Sequence, residues 1–375
     1  MHVVIVSKAL VVGTYQRKIE AIAAYEDVEV TLLVPAYWRD NRGTHTLERL
    51  HTRGYELRVI PIRFPGAFHW YYYPTLAQEL ASLRPDVLHV DEEPYNLATW
   101  LAVRHAVRLA IPSLFFTWQN LFRRYPPPFC LFERYVYRHV HFAIAGNQEA
   151  LTVLRRKGYH GPARVLPQFG VDPERFRPRP DPTTKGKPFT IGYVGGLVPE
   201  KGIDILLRAV AQLPGEWQVH LVGSGPAQRA LAQLAHHLGI ADRIRWTPRQ
   251  HSVHMPEIYP TFDVLVLPSR TQRNWKEQFG RVLIEAMACE VPVIGSTCGE
   301  IPNVIGDAGL LFPEGDVHAL TAHLRTLQKD RDLRRELGKR GRARVLAYFT
   351  HERIAAESVD IYRQVRCSRQ RTPLP

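Results

Sequence analysis

Several things are missing from this chain, and each absence narrows what it does. No apolar run reaches the roughly 18–20 residues that cross a bilayer as a helix, so a helical membrane span is not expected. Cysteine is scarce: Cys130, Cys289, Cys298 and Cys367 have neither zinc-like spacing nor the density of a disulfide framework, so reduced thiols and a cytoplasmic setting are expected. His251 and His254 have no carboxylate or cysteine at ligand spacing, and no metal is expected. The strand His2–Ser7 follows Met1 directly without a basic leader, so no signal peptide is expected. A recognition helix, an RNA motif and a stacking platform are all lacking, which leaves charge as the sole support for a nucleic-acid partner.

What is present describes a two-domain α/β protein. The 375 residues exceed one ordinary core and fit two domains. The net charge of +13 is spread over both halves without a Lys/Arg block, which favours anionic partners such as sugar nucleotides, lipid phosphates or an acidic membrane face. The opening reads as a strand, a loop holding Gly13, a helix and a second strand at Val28–Val34. Residues 177–188 are proline-rich and predict a linker, after which Phe189–Val194 restarts the βα pattern. The expected divisions are 1–176, the linker 177–188, 189–345, and a final segment 346–375 whose helix packs back on the first domain, before a tail.

The stretch from Asp263 to Ile305 carries the chemistry. A buried strand at Asp263–Pro268 leads through a polar loop to Phe279-Gly280, which opens a helix with one apolar face at Val282, Leu283, Ala286 and Met287. A second strand at Val291–Gly295 leads to Gly299-Glu300-Ile301-Pro302 and another helix. Glu277 precedes the first helix and Glu285 lies within it, so both belong near strand carboxyl ends, where open α/β sheets bind ligands. Two carboxylates suit the vicinal hydroxyls of a sugar and a ribose. Backbone N–H groups near Gly280 and Gly299 suit phosphate oxygens.

The pattern E-Q-F-G-x4-E-A-M-A-x2-V-P-V from Glu277, followed by G-E-I-P-x-V-I-G from Gly299, resembles the donor-site motif of glycosyltransferase family 4. These are retaining enzymes of the GT-B fold, two Rossmann-like doubly wound α/β domains facing a central cleft. The resemblance implies that Glu277 holds donor-sugar hydroxyls and Glu285 the ribose. Gly195 to Gly202 resembles the family's G-R-L-x2-E-K-G, with Lys201 retained for the donor diphosphate and Gly196 at the arginine position. Arg270, Arg273 or Lys276 is then expected to compensate. Gly223, in a partial dinucleotide fingerprint, implies a nucleotide-facing turn, and Phe279 joins the same donor set.

On the acceptor side the resemblance points to Gly13 and His89, while Asp91, at a strand's carboxyl end, and Gln119 or Asn120, as hydrogen-bonding partners for a sugar hydroxyl, are read from the residues themselves. The family's histidine after the strand at 111–117 is replaced by Trp118-Gln119-Asn120. Asp91, Glu92 and Glu93 read as candidates for acceptor hydroxyls or a base, or as a solvated loop. Lys8, Thr14 and Arg17 read as substrate contacts or as solvated surface. Of the four rings Trp70–Tyr73, some must be exposed, because neither strand nor helix turns all four inward. Arg123, Arg124, Arg134 and Arg138, interleaved with Tyr125, Phe129, Phe132 and Tyr135, form the best candidate for an anionic membrane surface, or simply a solvated helix face.

The reaction implied is retaining transfer of a hexosyl group from a nucleoside-diphosphate sugar, UDP- or GDP-linked, to a saccharide or lipid-linked acceptor, with no cofactor. The alternatives are a sugar-nucleotide isomerase or epimerase of the same fold, and a non-catalytic anion-binding protein.

Overall fold

The computed structural model describes residues 1–40, 43–178 and 188–368. Most of the expected linker, and the end of the tail, lie outside the described residues. The chain divides into two compact units, Met1–Gly170 with His351–Pro375, and Val171–Thr350.

The first unit opens with β1 (His2–Val6), two short 3-10 turns (Ala9–Val11 and Gly13–Gln16), α1 (Arg17–Ala23) and β2 (Glu29–Val34). An antiparallel pair, β3 (Tyr37–Asp40) and β4 (Gly43–Thr46), stands apart from the main sheet. There follow β5 (Glu56–Val59), α2 (Leu76–Leu83), β6 (Val87–Val90), α3 (Leu97–Arg108), β7 (Ser113–Thr117), α4 (Phe129–His139), β8 (Phe142–Ala145), α5 (Gln148–Arg156) and β9 (Ala163–Val165). Seven strands pair in parallel in the order β5-β2-β1-β6-β7-β8-β9. Alternate residues face opposite layers: Val3 and Ile5 join the core under α1, while Val4 and Val6 join the core under α2 and α3.

The second unit repeats the plan with β10 (Phe189–Val194), α6 (Ile203–Val210), β11 (Trp217–Val222), α7 (Gln228–His237), β12 (Ile244–Thr247), the short α8 (Met255–Ile258) and β13 (Val264–Leu267). It continues through α9 (Arg281–Ala288), β14 (Val293–Ser296), α10 (Ile301–Ile305), β15 (Leu310–Phe312), α11 (Val317–Lys329) and α12 (Arg331–Tyr348). Its six parallel strands run β12-β11-β10-β13-β14-β15. The final helix, α13 (His351–Ser368), belongs to the first unit, where Ile354, Val359, Ile361, Tyr362 and Val365 complete the core beside α1. Both units are Rossmann-like doubly wound α/β folds.

One expectation is corrected. The helix after Gly280 does not bury a single face: Leu283 to Ala288 are all buried and Val282 is only half-buried. α9 is a central helix, packed by α12 on one side and by the 3-10 turn at Tyr259–Thr261 on another. A helix covered on several sides has no solvent stripe to follow.

No helix among the described residues is long and apolar enough to cross a membrane. The four cysteines are free thiols.

Candidate active site

Each sheet has a switch point, where successive strands begin to add on the other side of the first, and the carboxyl ends there open a crevice. In the second unit it lies between β10 and β13. Lys201 follows β10 in the 3-10 turn Pro199–Lys201, while Ser269 and Glu277 follow β13. Lys201 Nζ donates to Glu277 Oε2 at 2.5 Å, and Ser269 Oγ donates to the same oxygen at 2.9 Å. The Lys201 ammonium also lies 4.9 Å from the centroid of Trp275. Two residues 76 positions apart thus meet as a charge-assisted pair, with donors of the ammonium still to offer.

The loops that carry this pair are held by close backbone approaches. A Cβ on Gly223 would stand 1.8 Å from the carbonyl oxygen of Gly195, so the turns after β10 and β11 touch main chain to main chain. Gly299, at φ +56°, would place a Cβ 2.1 Å from the Glu277 carbonyl oxygen, to which the Glu300 N–H donates at 3.1 Å. Glycine is required at both places. Gly196 differs: a Cβ there would meet only a Val198 methyl at 3.9 Å, an ordinary contact.

Glu285, buried in α9, accepts from Arg281 Nε at 2.7 Å and from Tyr259 Oη at 2.6 Å. Both oxygens are engaged, and each retains a second lone pair for a hydroxyl. Arg270 is drawn into the Lys201 loop, donating to the Pro199 carbonyl at 3.0 Å and to Asp204 at 3.3 Å. Its guanidinium braces that turn. Phe279 packs edge-on against Phe349 at 5.8 Å. Gly280, at φ +79°, opens α9, whereas α10 is only five residues long.

In the first unit the switch point lies between β1 and β6. A cavity of about 500 Å³ sits there, lined by Lys8 from after β1, by Asp91, Glu92 and Glu93 from after β6, and by Trp38, Phe68 and Trp118. Lys8 pairs with Glu92, which also accepts from Tyr71 at 2.5 Å and Tyr73 at 3.2 Å. Asp91 accepts from Ser7 at 2.8 Å. Glu93 accepts from Thr117 at 2.6 Å and the Trp118 N–H at 2.8 Å. Burial pushes its carboxyl up to about 7 against those two bonds.

Of the four acceptor-side residues read from the sequence, Asp91 lines this cavity and the others do not. His89 is buried in β6, where Nδ1 meets Tyr362 Oη at 2.8 Å. Burial, helped by the Lys18 charge, holds it well below the usual histidine range, so it is neutral in the core. The Gly13 N–H donates to Glu48 at 2.8 Å, and a Cβ there would meet Leu50. Gln119 accepts from Lys157 at 3.1 Å. Lys8 and the three acids are not solvated surface, and their partners Tyr71 and Tyr73 had no local signal beyond the run of rings. Ser269, one residue past the proline that closes the strand, and Tyr259, 26 residues from Glu285, were not among the residues read from the sequence. Among the described residues no group of three or more His, Cys, Asp or Glu side chains is placed to hold a metal ion.

The family described as Glycosyl transferases group 1 matches residues 174–344, and the Glycosyl transferase 4-like domain matches residues 12–168. The chain belongs to the group 1 glycosyl transferases. Among curated relatives, N-acetyl-alpha-D-glucosaminyl L-malate synthase of Bacillus anthracis is 37% identical over 169 residues, covering 44% of this chain and 42% of the relative. The GDP-mannose-dependent alpha-(1-6)-phosphatidylinositol monomannoside mannosyltransferase of Mycobacterium tuberculosis is 31% identical over 219 residues, covering 54% of this chain and 57% of the relative. The matches therefore span about half the length of these relatives. Among solved structures, Anabaena HepE in complex with UDP superposes with a TM-score of 0.75 at 18% identity, covering 97% of this chain and 99% of that one. At that identity the likeness speaks for the fold, GT-B.

Proposed function

We propose that this group 1 glycosyl transferase is a retaining hexosyltransferase, moving a sugar from a nucleoside-diphosphate sugar to a saccharide or lipid-linked acceptor in cell-envelope or polysaccharide synthesis. The observation that carries the reading is the Lys201–Glu277 pair at the switch point of the second unit. Glu277 takes the donor-sugar hydroxyls and Glu285 the ribose. Lys201, with the N–H groups near Gly280 and Gly299, carries the charge of the departing diphosphate. Arg270 acts by bracing the Lys201 turn. The leaving phosphate oxygen receives the acceptor's proton on the face it departs from, so the side chains position and stabilise without forming a covalent intermediate. The HepE complex contains UDP and the mycobacterial relative is named for GDP-mannose, so both donor bases remain in the reading.

The protein works at the cytoplasmic face of a membrane in this proposal. Trp70 (47% exposed), Leu131 and Phe68 stand out to solvent with Arg123, Arg124, Arg134 and Arg138. Leu131, Arg134 and Arg138 share one side of α4. The one acid of that helix, Glu133, points inward to Lys157. Exposed rings with arginines suit anionic headgroups.

Melting with UDP, GDP and ADP and their sugar conjugates, wild type against Glu285→Ala, tests the donor reading. A nucleotide at 100 times its Kd adds about 2.7 kcal/mol to stability, and the variant should lose that gain. No shift with any nucleotide would overturn it.

A further inference from the structure

The cavity of the first unit has a ligand chemistry of its own. Asp91 is 3% exposed, and its Oδ1 is buried with no hydrogen-bond partner while Oδ2 takes the Ser7 hydroxyl. A buried carboxylate oxygen left without a donor is costly, and on the wall of a roomy cavity it marks where a donor is meant to arrive. The cations nearby are Lys8, Lys18 and Arg39. Lys8 is bonded to Glu92 and Tyr71, with its ammonium 5.2–5.3 Å from the ring centroids of Phe68 and Trp38. Lys18 is buried beside Asp91, where desolvation lowers it and the Asp91 charge works against that. Arg39 also lines the cavity; it is exposed, with its guanidinium 5.5 Å from the centroid of the Tyr37 ring. The described residues of the wall therefore set the carboxylates of Asp40, Asp91, Glu92 and Glu93 and the aromatic side chains of Trp38, Phe68 and Trp118 against the two cations Lys8 and Arg39. Hydroxyl hydrogens suit the carboxylates, and the C–H faces of a saturated ring suit the aromatic side chains.

We propose that this cavity binds an uncharged, hydroxyl-rich ring, so that the acceptor docks by a neutral sugar or polyol and not by a phosphate or carboxylate. The proposal rests on the transferase reading for its meaning, but the binding stands without a donor. A ring hydroxyl donates to Asp91 Oδ1, and the ring lies among the aromatic side chains. A phosphate there faces the carboxylates of Asp40, Asp91, Glu92 and Glu93, while Lys8 is already bonded to Glu92 and Arg39 is the other cation among the described residues of the wall.

The test is saturation-transfer NMR on the full chain, without nucleotide, using methyl α-D-glucopyranoside, myo-inositol and glucose 6-phosphate as probes. Both neutral probes should take up saturation, and glucose 6-phosphate should bind at least tenfold more weakly. Asp91→Asn, nearly isosteric, should weaken the neutral probes at least fivefold. Phe68→Leu, at a ring that is 43% exposed, should also reduce the signal. Equal or tighter binding of the phosphate, silence from both neutral probes, or signals unmoved by either variant would overturn the proposal. The last result would place the sugars elsewhere, such as beside Glu277. A protein that melts higher with a nucleotide yet ignores all three probes retains the transferase reading and loses this one.

Discussion

The two units solve the same topological problem with the same pair of residues. At each switch point a lysine after the first strand meets a glutamate after the strand across the switch: Lys8 with Glu92, and Lys201 with Glu277. Their surroundings differ. Glu92 has a fully buried side chain and Lys8 is 13% exposed, enclosed by Trp38, Phe68 and Tyr71 and capped by two tyrosine hydroxyls. Glu277 and Lys201 are 10% and 21% exposed, and the Ser269 hydroxyl and the Trp275 ring are among their neighbours. The first pair is locked by its own neighbours and holds a wall together. The second retains donors and exposure, so a ligand can compete for it. Burial and exposure separate the two pairs; the pairing itself does not.

Breaking the locked pair should have the largest effect. Lys8→Met leaves Glu92 buried without its cation and should destabilise the fold by about 3–5 kcal/mol in urea unfolding. Lys201→Met should leave the fold far less disturbed. Instead, transfer should fall about 10²–10³-fold, as when one donor to a developing oxyanion is removed. If both variants lost stability equally, the contrast between the pairs would be wrong.

The acid beside the locked pair sharpens the comparison through pH. The Glu93 carboxyl is raised from 4.5 to about 7 in the folded state, so between those values the native protein binds the extra proton. Stability from this group is therefore greatest at low pH and falls as pH rises from about 4.5 to 7, by about 3 kcal/mol. Glu93→Gln should remove that slope and be more stable than wild type at pH 8, measured by denaturant unfolding at pH 5 and 8. The smallest effect belongs to Gly196→Arg. With a Cβ there meeting only a Val198 methyl at 3.9 Å, donor affinity should rise by about 1 kcal/mol, read as a shift in the nucleotide Kd.

How much the sequence disclosed follows the same divide. The second unit's site is carried by residues whose positions are local: Glu277 before a helix, Glu285 eight residues on, Lys201 in a glycine-bounded turn. Strand-turn-helix punctuation places such residues without knowledge of the rest of the chain. The first unit's cavity joins Lys8, Trp38, Phe68, Glu92 and Trp118 across more than a hundred residues. No periodicity reports such meetings, because sheet order and not spacing creates them. His89 shows the converse error: a position that resembles a family site is here turned into the core against Tyr362. The buried circumference of α9 was hidden for the same reason, since the elements that cover it come from elsewhere in the chain.

The placement of α13 bears on the order in which this protein is made. Val171 N–H donates to the Phe349 carbonyl at 2.9 Å, so the points where the chain enters and leaves the second unit lie side by side. The first unit's core is closed by Ile354, Ile361 and Tyr362, which emerge from the ribosome nearly two hundred residues after Gly170. At about 5–20 residues per second that is a wait of roughly 10–40 s. By its end the second unit has all its residues while α1 and the sheet beside it still expose an apolar face. Pulse-labelled chains stalled at Thr350 should be cut by protease in the first unit and resist in the second. The domain begun first is the one finished last, and a chaperone that shields apolar surface has its natural window there.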